Sequence, residues 1–324
     1  MFRQLSKYFG SQKNATRYKP IKHVFFKDPK VAEQLHENGY CVVDFIGEKE
    51  ITLLSELYAK HHKIEDSQGG IFISTFSKNI AYRKRIWESV NAILENSFNK
   101  WFQNYKSNVN TFAVKTPGKL SHFIMHQDVA AIDEEKFSLL NIWIPLQDIT
   151  PNNGALCIVP RSHNIFSPFR CPTVPPILKN IDKELYRYAI PIYLNAGQAI
   201  FFDPRVFHFS GQNSSNQSRV VVQCRICPSE SKAIVYFNSQ RENEMQVEMW
   251  QCPDDYFVTG NAYTENIRPE GCKLIGNRTN LGPLTVEEFE ERIKEHEIII
   301  QDNFIPVTES QRDFIREPIS ENLN

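Results

Sequence analysis

Two histidines and one aspartate carry the first chemical signal in this 324-residue sequence. In the segment His126-Gln127-Asp128, an extended backbone would point His126 and Asp128 to the same side. His208, which follows an apolar run ending in Asp203-Pro204, adds a second imidazole. Two histidines and one carboxylate, with three coordination positions left open, form the facial triad of non-haem Fe(II) oxygenases. The residue types therefore predict a metal centre that O₂ and a co-substrate can both reach.

A serine and an arginine follow the distal histidine on the same segment. Ser210 lies two positions after His208, and Arg219 lies eleven positions after it. An inward-facing guanidinium on a strand is a natural bidentate partner for a carboxylate. The pair predicts a site for an anionic co-substrate beside the metal.

The stretch from His126 to Arg219 resembles the phytanoyl-CoA dioxygenase family of Fe(II)/2-oxoglutarate oxygenases. The family pattern is H-x-D, then a distal His, a Ser two residues on and an Arg eleven residues on, and every position matches. Further similar segments are 37–40, 141–148, 153–156, 159–163 and 208–213. The resemblance covers about residues 30–228, and its specificity comes from the ordered set of segments.

The resemblance implies a role for eight residues. The implied iron ligands are His126, Asp128 and His208, and the implied residues of the co-substrate pocket are Arg219, Ser210, Trp143, Lys115 and Phe123. Arg219 and Ser210 would hold the distal carboxylate of 2-oxoglutarate. Trp143 matches a tryptophan that flanks the co-substrate in some members, with an ordinary core aromatic as the equal alternative. Fe(II), 2-oxoglutarate and O₂ are the implied cofactors, and ascorbate is expected to stimulate the reaction.

The same resemblance implies the type of reaction. Related halogenases have a small residue in place of the carboxylate ligand, and because Asp128 is present here, hydroxylation is expected. The products would be succinate, CO₂ and a hydroxylated small organic molecule. Acyl-CoA thioesters, amino-acid-like compounds and natural-product intermediates all stay open as substrates, because the fold does not choose among them.

Two other interpretations of these residues stay open. A zinc-dependent hydrolase could use the same His/Asp/His set, but it would have no need for Arg219 and Ser210 at these positions. A non-catalytic jelly-roll binding protein would be favoured by a degraded ligand set, whereas all three candidate ligands are intact.

The spacing of the motifs says less about the positions of four other polar residues. Gln223 and Arg225 share a strand face with Arg219, so they either line the interior near the substrate or face solvent. We expect His163 to be structural and His122 to be a core or surface histidine.

The elements around these residues predict an α+β chain with a mainly β core. Helical spacing predicts helices over about 30–38, from about residue 51, over about 80–102 and from Thr285 to about Ile299, with a strand over 40–46. Short strands separated by turn signals fill residues 108–228. This pattern predicts a double-stranded β-helix, a jelly roll of cupin type, with flanking N-terminal helices and a C-terminal extension.

The predicted organisation has three parts. Residues 1–27 form a basic N-terminal arm, residues 28–228 the dioxygenase core, and residues 229–324 an extension packed on that core. The aromatic-rich region 229–283 is expected to extend the scaffold and partly cover the pocket mouth. We favour an arm over a mitochondrial targeting segment because the segment is lean in Arg and lacks a small-residue cleavage pattern.

Composition excludes several classes of protein. A net charge of −1 gives no overall positive electrostatic potential that would attract nucleic acid. No apolar run is long enough for a transmembrane helix. A small molecule is therefore the expected partner and the cytoplasm the expected location, while the sequence does not predict the oligomeric state. The seven scattered cysteines are expected to be free thiols in a reducing compartment.

Overall fold

The computed structural model describes residues 19–62, 70–174, 176–178, 181–238, 246–263, 267–280 and 282–301. Most of the predicted N-terminal arm and the last residues of the chain, 302–324, therefore lie outside the described residues. No helix in the described ranges has the length and apolar character needed to cross a bilayer.

The N-terminal part of the chain contains three helices and the first strand. They are α1 (Pro29–Asn38), β1 (Tyr40–Asp44), α2 (Glu48–His61) and α3 (Ile80–Trp101). Asp28 caps α1 by accepting a hydrogen bond from the backbone N–H of Lys30 at 2.9 Å. Gly39 ends α1 in the left-handed region, with φ of 82°. These bounds confirm the helices predicted from the capping signals and apolar spacing.

Nine further strands complete two antiparallel sheets in the described residues. They are β2 (Ile71–Ile73), β3 (Tyr105–Lys115), β4 (Phe123–His126), β5 (Leu140–Pro145), β6 (Leu156–Ile158), β7 (Ile190–Ile192), β8 (Gln198–Phe202), β9 (His208–Ser210) and β10 (Arg219–Pro228). The larger sheet has the order β1-β8-β5-β10-β3-β2, and the smaller one β4-β9-β6-β7. Side chains of both sheets, such as Trp143 and Ile158, share one buried cluster. The two packed sheets confirm the predicted jelly roll.

The central strand β10 separates the core from the interior of the jelly roll. Val222, Cys224 and Ile226 belong to the hydrophobic core cluster that includes residues of α1, α2 and α3. Arg219 and Arg225 face the opposite way and line a cavity between the sheets. The predicted alternation along this strand is confirmed, and it decides which side chains reach the cavity.

The C-terminal part forms a third sheet and two helices. The elements are β11 (Ala233–Phe237), β12 (Gln246–Cys252) and β13 (Lys273–Thr279), with α5 (Tyr256–Thr259) and α6 (Val286–Glu295), and a single turn, α4 (Asp182–Leu185), precedes β7. Val235 and Phe257 pack with Val109 of β3 in one buried cluster. Phe289 of α6 joins another cluster with Phe209 of β9. These contacts agree with an extension packed on the core, although the division into three parts stays a prediction.

The end of the predicted N-terminal arm is part of the hydrophobic core. Phe25 and Phe26 are buried, and the ring of Phe26 lies 5.1 Å from that of Phe102 and 5.9 Å from that of Phe201. His23 is buried as well. The prediction of a basic arm, which was based on the lysines and arginines of this segment, missed the short apolar stretch at its end.

The expectation that all cysteines are free thiols is wrong for one pair. Cys252 and Cys272 form a disulfide, with their Cα atoms 4.5 Å apart. The reason lies in the pairing of β12 with β13, which sets Gln251 opposite Lys273 and so brings the two cysteines together. The remaining cysteines, Cys41, Cys157, Cys171, Cys224 and Cys227, are free.

Candidate metal and co-substrate site

The three predicted metal ligands converge at one end of the smaller sheet. His126 ends β4 and His208 begins β9, and the two residues are direct partners in the antiparallel pairing of these strands. Their ring centroids lie 4.2 Å apart. Asp128 follows β4, where its backbone N–H donates to the carbonyl of Pro204 at 3.0 Å. One donor atom from each residue lies within 4.8 Å of the others, which is the spacing that a single metal ion requires.

Backbone carbonyls fix the orientation of both imidazoles. Nδ1 of His126 lies 2.8 Å from the carbonyl oxygen of Ile124, and Nδ1 of His208 lies 2.9 Å from that of Val206. Because a carbonyl only accepts, each Nδ1 carries the hydrogen, and in the form that binds metal each ring has its lone pair on Nε2. These lone pairs face the Asp128 carboxylate, at 3.6 Å from Oδ1 for His126 and 4.0 Å from Oδ2 for His208. Lone pairs that face one another in this way are arranged for a cation between them.

The protonation states also suit a divalent cation. Burial lowers the pKa of His208 to about 4, so its ring is neutral at physiological pH. Burial alone would raise the pKa of Asp128, but the Arg225 guanidinium beside it opposes that effect, and the pKa lies well below its usual range. A neutral imidazole and an ionised carboxylate are the forms that bind metal.

Several polar residues around Asp128 were not identified as site residues from the sequence. Asn141 donates from Nδ2 to Oδ2 of Asp128 at 2.5 Å, and Nη2 of Arg225 lies 3.3 Å from the same oxygen. Arg170 donates from Nε to the backbone carbonyl of Asp128 at 2.7 Å and pairs bidentately with Glu134. None of these residues belongs to a motif that marks a metal centre. The alternation of β10 is the one sequence signal that points to Arg225.

A single cavity of about 320 Å³ lies between the sheets and joins all eight predicted residues. The residues are His126, Asp128, His208, Arg219, Ser210, Trp143, Lys115 and Phe123. The ring of Phe123 lies 4.7 Å from that of His126. The roles of these residues stay predictions, but the structure places them around one space.

Arg219 is a buried cation with no counter-charge beside it in the part of the chain that the structure describes. Its side chain donates from Nη1 to the carbonyl of Gly154 at 2.6 Å, and its guanidinium carbon lies 5.0 Å from the centroid of the Trp143 ring. Its Nε has no hydrogen-bond partner, and no carboxylate lies within 4 Å of it among the described residues. Burial lowers the pKa of Arg219 to about 9. A buried guanidinium of this kind is stabilised by an anion, and the carboxylate of a co-substrate is an anion that could pair with it.

Lys115 lines the same cavity, but backbone carbonyls surround its ammonium group. Nζ donates to Gly211 at 2.7 Å, to Ser210 at 3.2 Å and, at shorter range, to Ser121. The side chain passes so close to Gly154 that a Cβ there would lie 2.8 Å from Cδ of Lys115. Lys115 therefore ties β3 to the end of β9, and contact with a co-substrate would be additional to this role.

Of the other residues discussed from the sequence, two line the cavity and two histidines lie outside the metal cluster. Trp143 both lines the cavity and packs in a core cluster, so the two interpretations offered by the sequence are compatible. Gln223 lines the cavity, which agrees with the interior position and not with the solvent-facing position considered from the sequence. His163 is buried with Nε2 2.9 Å from the carbonyl of His36, and it lies outside the metal cluster together with His122.

Comparison with known proteins identifies the family. The model of the phytanoyl-CoA dioxygenase (PhyH) family matches residues 35–221, which is more than half of the chain. The peroxisomal phytanoyl-CoA dioxygenase of Rattus norvegicus is 24% identical over 173 residues, and that of Homo sapiens is 26% identical over 172 residues. Each match covers 50% of this chain and 51% of the relative, so the chain spans about half the length of these relatives.

Among solved structures, the chain is similar to HygX from Streptomyces hygroscopicus, which has nickel, 2-oxoglutarate and hygromycin B bound. It is 12% identical, with a TM-score of 0.43 over 63% of this chain and 88% of HygX. The family match does not depend on this likeness. The chain belongs to the phytanoyl-CoA dioxygenase family of Fe(II)/2-oxoglutarate oxygenases.

Proposed function

We propose that this protein is an Fe(II)- and 2-oxoglutarate-dependent dioxygenase that hydroxylates a small organic substrate and releases succinate and CO₂. The observation that carries the proposal is the buried, uncompensated charge of Arg219 in the same cavity as three convergent metal donors. A zinc hydrolase with the same ligands would leave this costly buried cation without a purpose.

The chain's residues would divide the work as follows. His126, Asp128 and His208 would hold Fe(II), which supplies the oxidative decarboxylation of 2-oxoglutarate and the O₂-dependent hydroxylation when it is bound. Arg219 and Ser210 would bind the distal carboxylate of 2-oxoglutarate and so orient its 2-oxo-acid end towards the metal. Both residues are buried, which excludes water and strengthens this electrostatic contact.

The rest of the cavity supports an organic substrate with an apolar part. Its lining includes many apolar and aromatic side chains: Ile71, Ile73, Phe76, Val109, Ala113, Val129 and Tyr263. Tyr263 comes from the C-terminal part, and its ring lies 5.0 Å from that of Phe76. The two aromatics support the expectation that the extension partly covers the pocket. An acyl chain or an apolar natural-product intermediate fits this lining better than a zwitterionic amino acid.

The test is succinate formation from 2-oxoglutarate by anaerobically purified protein that is supplied with Fe(II), ascorbate and O₂. We expect the wild type to form succinate slowly even without substrate, and His126→Ala and Arg219→Ala to lose at least 90% of this rate. Arg278→Ala is the matched control, because Arg278 is a partly exposed arginine that pairs with Glu135 outside the cavity. A wild type that binds neither Fe(II) nor 2-oxoglutarate would refute the proposal and favour a binding module.

A further inference from the structure

The two oxygens of the Asp128 carboxylate have different surroundings. Oδ2 accepts a hydrogen bond from Asn141 at 2.5 Å and forms an ion pair with Arg225 at 3.3 Å, while Nε2 of His208 lies farther away, at 4.0 Å. Oδ1 faces Nε2 of His126 at 3.6 Å and has no other polar contact among the described residues. One oxygen is therefore held by the protein, while the other stays available to a metal ion.

The two residues that hold Oδ2 also hold each other. Nε of Arg225 donates to Oδ1 of Asn141 at 3.1 Å, and Nη1 lies 3.4 Å from the carbonyl of Val129. Arg225 and Asn141 are direct partners in the pairing of β10 with β5, two central strands of the larger sheet. Both side chains are buried, Asn141 completely. Asn141, Arg225 and Asp128 thus form a closed, buried triangle of polar contacts built on rigid strands.

The two buried arginines of β10 are distinguished by their partners. Arg219 has no carboxylate within 4 Å among the described residues, whereas Arg225 has Asp128. The charge of Arg225 is already neutralised within the protein, so a second anionic ligand is not its natural partner. Its contacts are instead those of a residue that orients another side chain.

We propose that Asn141 and Arg225 are positioning residues that make Asp128 a one-oxygen metal ligand. By occupying Oδ2 they leave Oδ1 for the ion, which keeps a coordination position free that a two-oxygen carboxylate would fill. Charge-assisted hydrogen bonds of this kind fix geometry as well as contribute energy. The inference rests on the proposed function, since it concerns the same metal centre.

The test uses Co(II) as the probe, because its visible absorption spectrum reports the coordination number. Co(II) is titrated into metal-free wild type, Arg225→Met, Arg225→Lys and Asn141→Ala, without 2-oxoglutarate or O₂. We expect the dissociation constant to rise about 10- to 100-fold in Arg225→Met and Asn141→Ala, which is the usual effect of losing a partner of a metal ligand. We also expect their bound-state spectra to differ from that of the wild type, a change that mere destabilisation does not produce.

Two variants serve as controls. Arg225→Lys keeps the buried charge but cannot bond Asn141 and Asp128 together as a guanidinium does, so we expect its affinity to be intermediate. It also keeps the test valid if Arg225→Met does not fold. Gln223→Met changes another cavity-lining residue of β10, one with no hydrogen bond or ion pair to Asp128 among the described residues, and we expect Co(II) affinity within a factor of two of the wild type.

The outcomes separate this inference from the proposed function. If the wild type does not bind Co(II), the metal centre itself is refuted. If the wild type binds Co(II) and the folded Arg225 and Asn141 variants match its affinity and spectrum, the positioning role is wrong. Tighter binding by Arg225→Met would also overturn it, because Arg225 would then compete with the metal for Asp128.

Discussion

At the residue scale, the central feature of the site is a contrast between two buried arginines on one strand. Arg219 lies with its Nε unsatisfied in the cavity, and Arg225 is bonded to Asp128 and Asn141. An isolated buried charge destabilises a protein unless a ligand or partner compensates for it. This contrast is the basis for our proposals that Arg219 binds the co-substrate and that Arg225 positions a metal ligand.

The first prediction concerns the geometry of the Arg219 contact. Arg219→Lys keeps a positive charge but loses the bidentate pairing with a carboxylate. We expect the dissociation constant of 2-oxoglutarate to rise at least 10-fold, which corresponds to about 1.4 kcal/mol. Isothermal titration of Co(II)-loaded, anaerobic protein measures this constant, with Arg278→Lys as the control. An unchanged constant in the folded variant would remove Arg219 from the co-substrate site.

At the element scale, the turn between α1 and β1 joins the helical layer to the jelly roll. Gly39 has φ of 82°, and a Cβ built on it would lie 2.6 Å from both Nδ1 of His163 and Cγ2 of Val206. Its neighbour β1 pairs with β8, so this turn fixes the first strand against the larger sheet. Glycine is required here by both conformation and space.

The second prediction follows from this turn. Gly39→Ala adds a steric clash to the left-handed strain, and we expect it to lower the free energy of unfolding by about 3 kcal/mol. Gly271→Ala is the matched control, because Gly271 also has a positive φ of 69° but, among the described residues, no neighbouring atom within 4 Å of the position that an alanine methyl group would take. We expect that control to cost about 1 kcal/mol. Urea unfolding measures both, and equal losses would show that the contact with His163 is unimportant.

The third prediction concerns the link between β12 and β13. The disulfide joins Cys252 and Cys272 across a sequence separation of 20 residues. Closing a loop of this size restricts the unfolded chain, so we expect Cys272→Ser to lower the free energy of unfolding by about 3 kcal/mol. Urea unfolding under non-reducing conditions measures the change. The control is Cys157→Ser, a free cysteine, and the idea fails if mass spectrometry finds Cys252 alkylated by iodoacetamide in the unreduced wild type.

At the scale of the whole molecule, a buried polar cluster couples stability to pH. Asp203 and Arg205 form an ion pair between fully buried side chains, and Nε2 of His23 lies 3.7 Å from Asp203. Burial lowers the pKa of both His23 and His163 to about 4. Arg205 holds the pKa of Asp203 well below its usual range against the opposing effect of burial.

The fourth prediction follows from the sign of these shifts. Between pH 6.5 and pH 4 the unfolded chain protonates His23 and His163, whereas the folded protein keeps them neutral. The free energy of unfolding therefore falls as the pH falls through this window, with a limiting slope of about 1.4 kcal/mol per pH unit for each histidine. Asp203 stays ionised in the folded state here, so its own contribution is lost only at lower pH.

The measurement is urea unfolding of chelator-treated protein at several pH values between 8 and 4.5. His23→Gln can still donate to the carbonyl of Leu139, which accepts from the His23 ring at 2.9 Å, but it cannot titrate. Below pH 6.5 we expect the free energy of unfolding of this variant to fall less steeply with pH than that of the wild type, by about 1.4 kcal/mol per pH unit at most, which corresponds to one proton. Above pH 6.5 the two proteins should show parallel pH profiles. Identical slopes below pH 6.5 would contradict the assignment.

The candidate site residues and the class of the fold could be predicted from residue types and their order. His126, Asp128, His208, Ser210 and Arg219 were selected from residue type, spacing and the resemblance to the family, and they line one cavity in the structure, while their roles stay predictions. The helices and the alternation of β10 were also predictable, because side-chain period is a local property of a helix or strand. The jelly roll followed from many short strands separated by turns.

Which distant residues meet could be learned only from the folded chain. The pairing of Asn141 with Arg225 depends on the register of β5 against β10, and the disulfide of Cys252 depends on the register of β12 against β13. The burial of Phe25 depends on packing against helices that lie far along the chain. Register and long-range packing are set by how whole faces fit together, and no local pattern encodes that fit.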